Sequence, residues 1–516
     1  MRKQTKIVLA AALFTLGASF SAFAAKTGTW MLEDEGWFCY DKEGEAWEDE
    51  FCLSYGKEYY MGDDGLMVTS SWVDYEENTY FVGSDGSKTI SDWRFLVPED
   101  ADEDEDEEWF YFDTKGRMVT GKKVIDGKTY YFNEDGVMLT GWVSYSDSSK
   151  QATEAESITG AVYCDENGAR VATSWVKTWA PGTDLEDAEE DDKAWYYIKS
   201  TGAATLGRAR DINGETYFFG QNGKMLSGWV GTDDAGETYF AMGTEVSPTA
   251  ISDVDDAYFC GTSDQGWAKK DRWIKTWAPA DYYEKDSDDD QFWYYFAKSG
   301  KVYAPDEASA ADATELKFAD GTKSAADLTV EGAFTASDAD EKVALKEIDK
   351  KVYAFNEEGE MLKGFVNVTA DACEATNGAG LYYFGGEDDG SMKIGSIMIE
   401  DNEGGEWKFF FNKTNTGANK GTGVTGAASG ELYENGLIQK ASENAYEIKD
   451  VVIGSDVVYF LVDKDGDIRT TKKEFEADDE VYLNTEAVEF NTNLTGTRED
   501  SIKDIDKVTY KATPEA

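Results

Sequence analysis

The aromatic phrase GKTYYFNEDGVMLTGW at residues 127–142 returns as GETYFFGQNGKMLSGW at 214–229 and, worn, as KKVYAFNEEGEMLKGF at 350–365. Its chemistry is that of ring faces beside a thioether. A ring face attracts a cation held free of water, for a gain of roughly 2 kcal/mol or more, and a quaternary ammonium suits it because it has no N–H to leave unsatisfied. The same rings stack on sugar faces, and aromatics also dominate ordinary core burial, so each ring has a structural reading beside the binding one.

Acid–base and nucleophilic catalysis have little to work with. The chain has no histidine, which removes the commonest general base, the imidazole metal ligand and every Ser-His or Cys-His pair. Two carboxylates suffice to hydrolyse a glycoside, but among 104 Asp and Glu residues a pair is uninformative, and a glycoside hydrolase with an unrecognised carboxylate site stands as the remote alternative. Asp463, Asp465, Asp467 and Glu474 fall on positions 1, 3, 5 and 12 of a calcium loop, yet position 6 calls for glycine and holds Ile468. A strand, VVYFLV, precedes them, so an ordinary turn is the better reading and no resident metal or cofactor is expected.

Charge narrows the partners. Lys and Arg number 49 against 104 acids, a net charge of -55 over 516 residues, which disfavours nucleic acid and favours cations as ligands. Arg2, Lys3 and Lys6 precede an apolar run, Ile7 to Leu16, and Ala22-Phe23-Ala24. This pattern predicts a signal peptide over 1–24 and a mature chain from Ala25. No later run approaches the roughly 20 apolar residues of a membrane span, so an exported, soluble product held non-covalently at a bacterial cell surface is expected. Of five cysteines, Cys39 and Cys52 flank one expected hairpin and could bridge, while Cys164 and Cys260 read as small buried hydrophobes.

The elements that must position the rings are short strands and turns. Tyr130, Tyr131 and Phe132 form a β-favouring strand, Asn133-Glu134-Asp135-Gly136 a turn, and the methionine a second strand. The polar turn ending in glycine recurs at 41–44, 113–116, 165–168, 356–359 and 463–466, each expected to close a hairpin with glycine at positive φ. A longer period rides on the short one: 174–202 matches 272–300, with 92–116 as a looser copy. Such units bury their apolar faces only by stacking. The expectation is an all-β chain, a β-solenoid of stacked hairpins with a divergent β-rich C-terminal region. Its parts are repeats over 25–304, an Ala- and Asp-rich insertion over 305–344 that is a strand-rich excursion or a loop, divergent repeats over 345–440, and a cap of unassigned role over 441–516. Acidic inserts at 99–108, 184–192 and 284–290 lie between paired tryptophans; they are solvated loops, or they draw cations toward the aromatic clefts.

GKTYYFNEDGVMLTGW and WYYFAKSG resemble the cell-wall-binding repeat family, the choline-binding type of bacterial surface proteins with relatives in glucan-binding enzymes and large clostridial toxins. The resemblance runs from about Trp30 to Lys440 with gaps. It implies stacked hairpins with a quaternary-ammonium cage walled by a Trp of the Gly-Trp step, a Trp of the Trp-Tyr-Tyr strand and an aromatic of the next hairpin, a Met lying nearby. Carried onto this chain, it implies Trp93 with Trp109, Trp175 with Trp195, and Trp273 with Trp293. Tyr130 and Tyr217 become third walls of the first two, and Met118, Met138 and Met225 hold the Met position. The departures are an Asp, Ser or Arg before those first tryptophans, Thr129 and Thr216 at the first strand aromatic, Ala354 at the second, and Phe365 in Gly-Trp. The implied function is non-enzymatic binding of a choline-substituted, teichoic-acid-type cell-wall polymer, or alternatively of an α-glucan or other glycan. Weak sites on one chain gain by avidity when the ligand is a polymer.

Overall fold

The computed structural model describes residues 26–99, 106–152, 158–184, 187–233, 235–243, 256–282, 291–305, 342–368, 379–386, 389–400, 404–415, 419–441 and 446–469, together with the strands at 311–312, 474–477 and 480–483. The structure is all-β, with short 3-10 turns at Ile158–Gly160 and Glu190–Asp192. No helix among the described residues is long and apolar enough to cross a membrane. The chain divides into two units, Met1–Ile212 with Phe218–Met225, and Asn213–Tyr217 with Leu226–Ala516. The expected signal peptide, most of the 305–344 insertion and the last 33 residues, 484–516, lie outside the described residues.

A repeat is built on a two-stranded antiparallel hairpin, such as Gly121–Ile125 with Lys128–Phe132, in register from Gly121↔Phe132 to Ile125↔Lys128. The two linking residues, Asp126 and Gly127, have φ of 48° and 80°. Positive φ at both positions is the turn geometry whose twist matches that of the strands. Tyr55-Gly56, Glu76-Glu77, Asp349-Lys350 and Ser429-Gly430 repeat it.

The hairpin turn therefore precedes the aromatic strand, one step earlier than the sequence signals placed it. At Asn133–Gly136 the chain makes a different device. Asn133 Oδ1 accepts the Val137 N–H at 2.7 Å, Gly136 N–H donates to the Asn133 carbonyl at 3.1 Å, and Met138 returns as an isolated bridge to Phe132 instead of a second strand. Asp113 and Asp165 accept backbone N–H groups in the same way. Polar-polar-polar-Gly marks this second turn, whereas the hairpin turns are two-residue loops that carry a glycine in some copies and none in pairs such as Glu76-Glu77.

The residues just after this second turn tie one hairpin to the one before it. In the first unit the N–H groups of Met67, Lys88, Met118, Met138, Arg170 and Met225 donate to the carbonyls of Trp37, Glu58, Thr79, Trp109, Thr129 and Trp195 at 2.8–2.9 Å. In the second unit Ala268, Val302, Met392, Gly423 and Ile468 do the same to Thr216, Ala257, Val352, Leu381 and Gly430. The tie at Ile468 carries the pattern past residue 440. Between hairpins the inward rings are buried, Phe110, Phe112, Phe132, Tyr196 and Phe219 in the first unit and Trp229, Tyr294 and Phe296 in the second.

Two details revise the sequence reading. The strand Lys342–Ile348 pairs with Lys351–Asn356, so that hairpin begins inside the span assigned to the insertion. Cys39 and Cys52 do form a disulfide, but it joins consecutive hairpins, Thr29–Glu33 with Gly36–Tyr40 and Glu50–Ser54 with Lys57–Met61, instead of bracing a single one. Cys164 and Cys260 are buried free thiols, each pushed up to about 12 by burial. The fifth, Cys373, lies outside the described residues.

Candidate functional site

Cross-strand register decides which rings can meet. In the hairpin Asp92–Leu96 with Glu108–Phe112, Trp93 lies opposite Tyr111 and Phe95 opposite Trp109, which sets the two tryptophans diagonally on one face. Their ring centroids are 6.4 Å apart at 82°. Tyr130 of the next hairpin closes the third side at 5.0 Å from Trp93, with Phe132 behind it at 5.7 Å. Trp109 is 44% exposed, so the cleft opens to solvent on that ring, and the N–H of Met138 holds the Trp109 carbonyl from below.

The second expected pair repeats this. Trp175 and Trp195 stand 6.3 Å apart at 88°, with Tyr197 at 5.2 Å and Phe219 at 5.8 Å from Trp175, and Met225 N–H on the Trp195 carbonyl. Tyr217, expected as its third wall, falls in the second unit, where its ring meets Trp267 at 6.5 Å. In that unit Trp273 lies opposite Tyr295 and Lys275 opposite Trp293, the same register. Its third wall is Tyr353, 4.7 Å from Trp273, with Phe355 stacked at 8°. Tyr353 stands where Tyr130 and Tyr217 stand in the repeated phrase, a correspondence that Ala354 beside it obscured.

A fourth constellation was missed in the sequence. Trp30 and Trp37 stand 6.4 Å apart at 66°, Tyr59 of the next hairpin is 5.2 Å from Trp30, and Met67 N–H donates to the Trp37 carbonyl. The paired-tryptophan signal rests on an acidic insert between the two rings, and this hairpin has none, its strands being joined by Asp34 and Glu35 alone.

Profiles of known families match parts of the chain between residues 46 and 225. Choline-binding repeat profiles cover residues 46–87 and 119–157, and a cell wall binding repeat profile covers 104–118, 189–204 and 210–225. Between residues 46 and 225 the chain carries choline-binding-type cell-wall-binding repeats. Among curated proteins, these repeats are 35% identical over 138 residues to Glucosyltransferase-S of Streptococcus mutans, covering 27% of this chain and 8% of that one. Glucosyltransferase-I of Streptococcus downei is 23% identical over 287 residues, covering 42% of this chain and 17% of that one. The chain thus spans only a small part of the length of these relatives. Solved structures with similar stretches include the modular autolysin LytC from Streptococcus pneumoniae, at 15% identity and TM-score 0.33 over 65% of this chain and 52% of that one. The choline-binding domain of CbpL from the same organism is 21% identical, with TM-score 0.30 over 47% and 98%.

The methionines of the cell-wall-binding repeats are sorted by the backbone ties. Met138 serves the Trp93 cleft and Met225 the Trp175 cleft, while the Met118 N–H bonds the Thr79 carbonyl and its side chain lines the preceding step at Trp72. Each thioether also rests on a turn glycine of the following hairpin: Met67 on Gly86, Met118 on Gly136, Met138 on Gly168. A Cβ at any of these glycines would occupy the space of the sulfur.

At one step the chain supplies its own cation. Phe51 occupies the place of Trp93, opposite Tyr60, and Tyr80 that of Tyr130; Glu58 stands at the Trp109 position and Lys88 at that of Met138. The Lys88 ammonium lies 4.6 Å from the Phe51 ring and 5.2 Å from Tyr80, and it is ion-paired with Glu58. Burial pushes it down to about 8 against the pull of Asp113, so it remains an ammonium at neutral pH. Beside the open clefts the field is negative: burial first, then Asp126, Asp113 and Asp92, raise the Tyr111 phenol.

Of the residues considered for calcium, Asp463 leads a turn. Asp463 Oδ1 accepts the N–H groups of Asp465 and Asp467, both at 3.0 Å, and its other oxygen is paired with Arg469. This is the turn found at Asp113 with Arg117. The Glu474 side chain lies outside the described residues.

Proposed function

We propose that the protein is an exported, non-enzymatic binder of a choline-substituted, teichoic-acid-type cell-wall polymer, with its hairpins stacked as a β-solenoid. The observation that carries this reading is the recurrence of one geometry, a Trp pair at 6.3–6.4 Å closed by a tyrosine or phenylalanine of the next hairpin, at Trp30, Trp93 and Trp175. Lys88 supports this reading, since an alkylammonium already rests on the equivalent rings. A quaternary ammonium between two or three rings gains from each quadrupole and strands no N–H. Each cleft is weak alone, and several on one chain become strong toward a polymer.

Glycan binding is the second reading. It is favoured by the relatives named as glucosyltransferases, and exposed rings such as Trp37 and Trp109 stack on sugar faces equally well. Retention on an immobilised choline-like amine, eluted by free choline and challenged with soluble α-glucan, separates the two. Replacing Trp109 and Trp195 together by Ala is expected to cut retention far more than either change alone, because avidity depends on the number of clefts engaged. Tyr131→Ala, at a buried position, should lower stability instead. Retention of the folded double variant equal to the parent's would remove both readings of these clefts.

A further inference from the structure

The step at Trp72 is built like the cage at Trp93 except for one wall. Trp72 meets Phe81, Phe110 and Phe112 at 5.4, 4.9 and 5.8 Å, where Trp93 meets Tyr111, Tyr130 and Phe132 at 5.1, 5.0 and 5.7 Å. Met118 N–H donates to the Thr79 carbonyl as Met138 does to that of Trp109. Thr79 therefore stands in the place of the second tryptophan. Its hydroxyl donates to Asp74 at 2.8 Å, and the indole N–H of Trp72 is taken by the Val97 carbonyl at 3.0 Å.

Removing that wall leaves a cleft of about 760 Å³. A single trimethylammonium head fills a small part of such a volume, which is of the size that takes a whole small-molecule ligand. Trp72 and Met118 give it an apolar strip. Carboxylates approach from separate elements: Asp74 from the strand, Glu99, Asp106 and Glu108 from the ends of the acidic insert, and Glu134 and Asp135 from the turn that follows the Gly121–Phe132 hairpin. No lysine or arginine is among the lining residues. At the preceding step Lys88 shows the same chemistry filled from within, an alkyl chain ending in an ammonium on two rings beside a carboxylate.

We infer that the Trp72 cleft is a second kind of site, for a linear polyamine. The alkyl chain lies along Trp72 and Met118, and the ammonium groups at its ends reach the insert carboxylates on one side and the turn carboxylates on the other. Anions are repelled, and a monovalent choline head meets only one of these groups. The site borrows the repeat's ring geometry but does not depend on choline being the ligand of the other clefts.

Spermidine titrated into the full chain, followed by calorimetry and tryptophan fluorescence, tests this, with choline titrated in parallel. Saturable spermidine binding is expected, weakened about tenfold or more when Glu108, Glu134 and Asp135 are replaced by Gln, Gln and Asn, substitutions in exposed positions. Thr79→Trp is expected to rebuild the missing wall and abolish spermidine binding. Absence of saturable spermidine binding, or spermidine binding unchanged in both variants, overturns the inference. Loss of choline-matrix retention with spermidine binding intact would instead strike the choline reading and leave this one standing.

Discussion

Lys88 illustrates how one residue sets the state of a step. With a methionine at its position the rings face a cleft; with lysine they face the chain's own ammonium, and Glu58 at the second-tryptophan position supplies the counter-charge. Lys88→Ala leaves Glu58 largely buried beside Phe51 without its partner. Stability should fall by about 2–3 kcal/mol, toward the lower end for loss of one member of a buried pair because Glu58 keeps some solvent contact. Millimolar tetramethylammonium should recover part of that loss by taking the vacated place, read as a rise in the urea midpoint of the variant and not of the parent. A variant as stable as the parent, or one indifferent to the added cation, would show that the step is no cation site.

At the scale of the element, the turn glycines have two jobs, and only one was legible. Positive φ at Gly168, 75°, follows from the Asp165-Glu166-Asn167-Gly168 cadence, because local N–H groups satisfying an Asp side chain repeat at fixed spacing. The second job is close approach: Met138 of the preceding hairpin rests where a Cβ would go. Gly168→Ala should therefore cost more than the roughly 1–2 kcal/mol of placing an L-residue in the left-handed region. Adding Met138→Ala should return the steric part and leave the conformational part, a coupling that a double-mutant cycle of urea midpoints measures. Strict additivity would mean that the sulfur and the glycine do not constrain each other.

For the whole molecule, charge and valency oppose each other. At a net charge of -55 the chain would be repelled at long range by an anionic wall polymer, whereas on the proposed reading its clefts attract the cations that polymer carries. The Debye length shrinks from roughly 30 Å at 0.01 M to about 8 Å at 0.15 M ionic strength. Retention on anionic wall polymer should hold or strengthen across that range, and capture of free choline should weaken as the carboxylates lose reach. Matching salt slopes for polymer and free choline would assign recognition to the rings alone.

The amino-acid sequence by itself determined the all-β class, the hairpin repeat, the Asp- and Asn-led turns and the pairing of Trp93 with Trp109 and of Trp175 with Trp195, because these rest on short phrases that recur from copy to copy. Tertiary structure decided the rest. Which rings meet depends on strand register and on one backbone bond between consecutive hairpins, and both act over separations that a local phrase does not encode. Hence Met118 lines the Trp72 step, Tyr353 completes the Trp273 site, and Trp30, Trp37 and Tyr59 form a cleft without an acidic insert. Hence also Thr79 and Lys88, unremarkable as letters, mark an open step and a filled one, because each sits where the neighbouring hairpin expects a wall or a thioether.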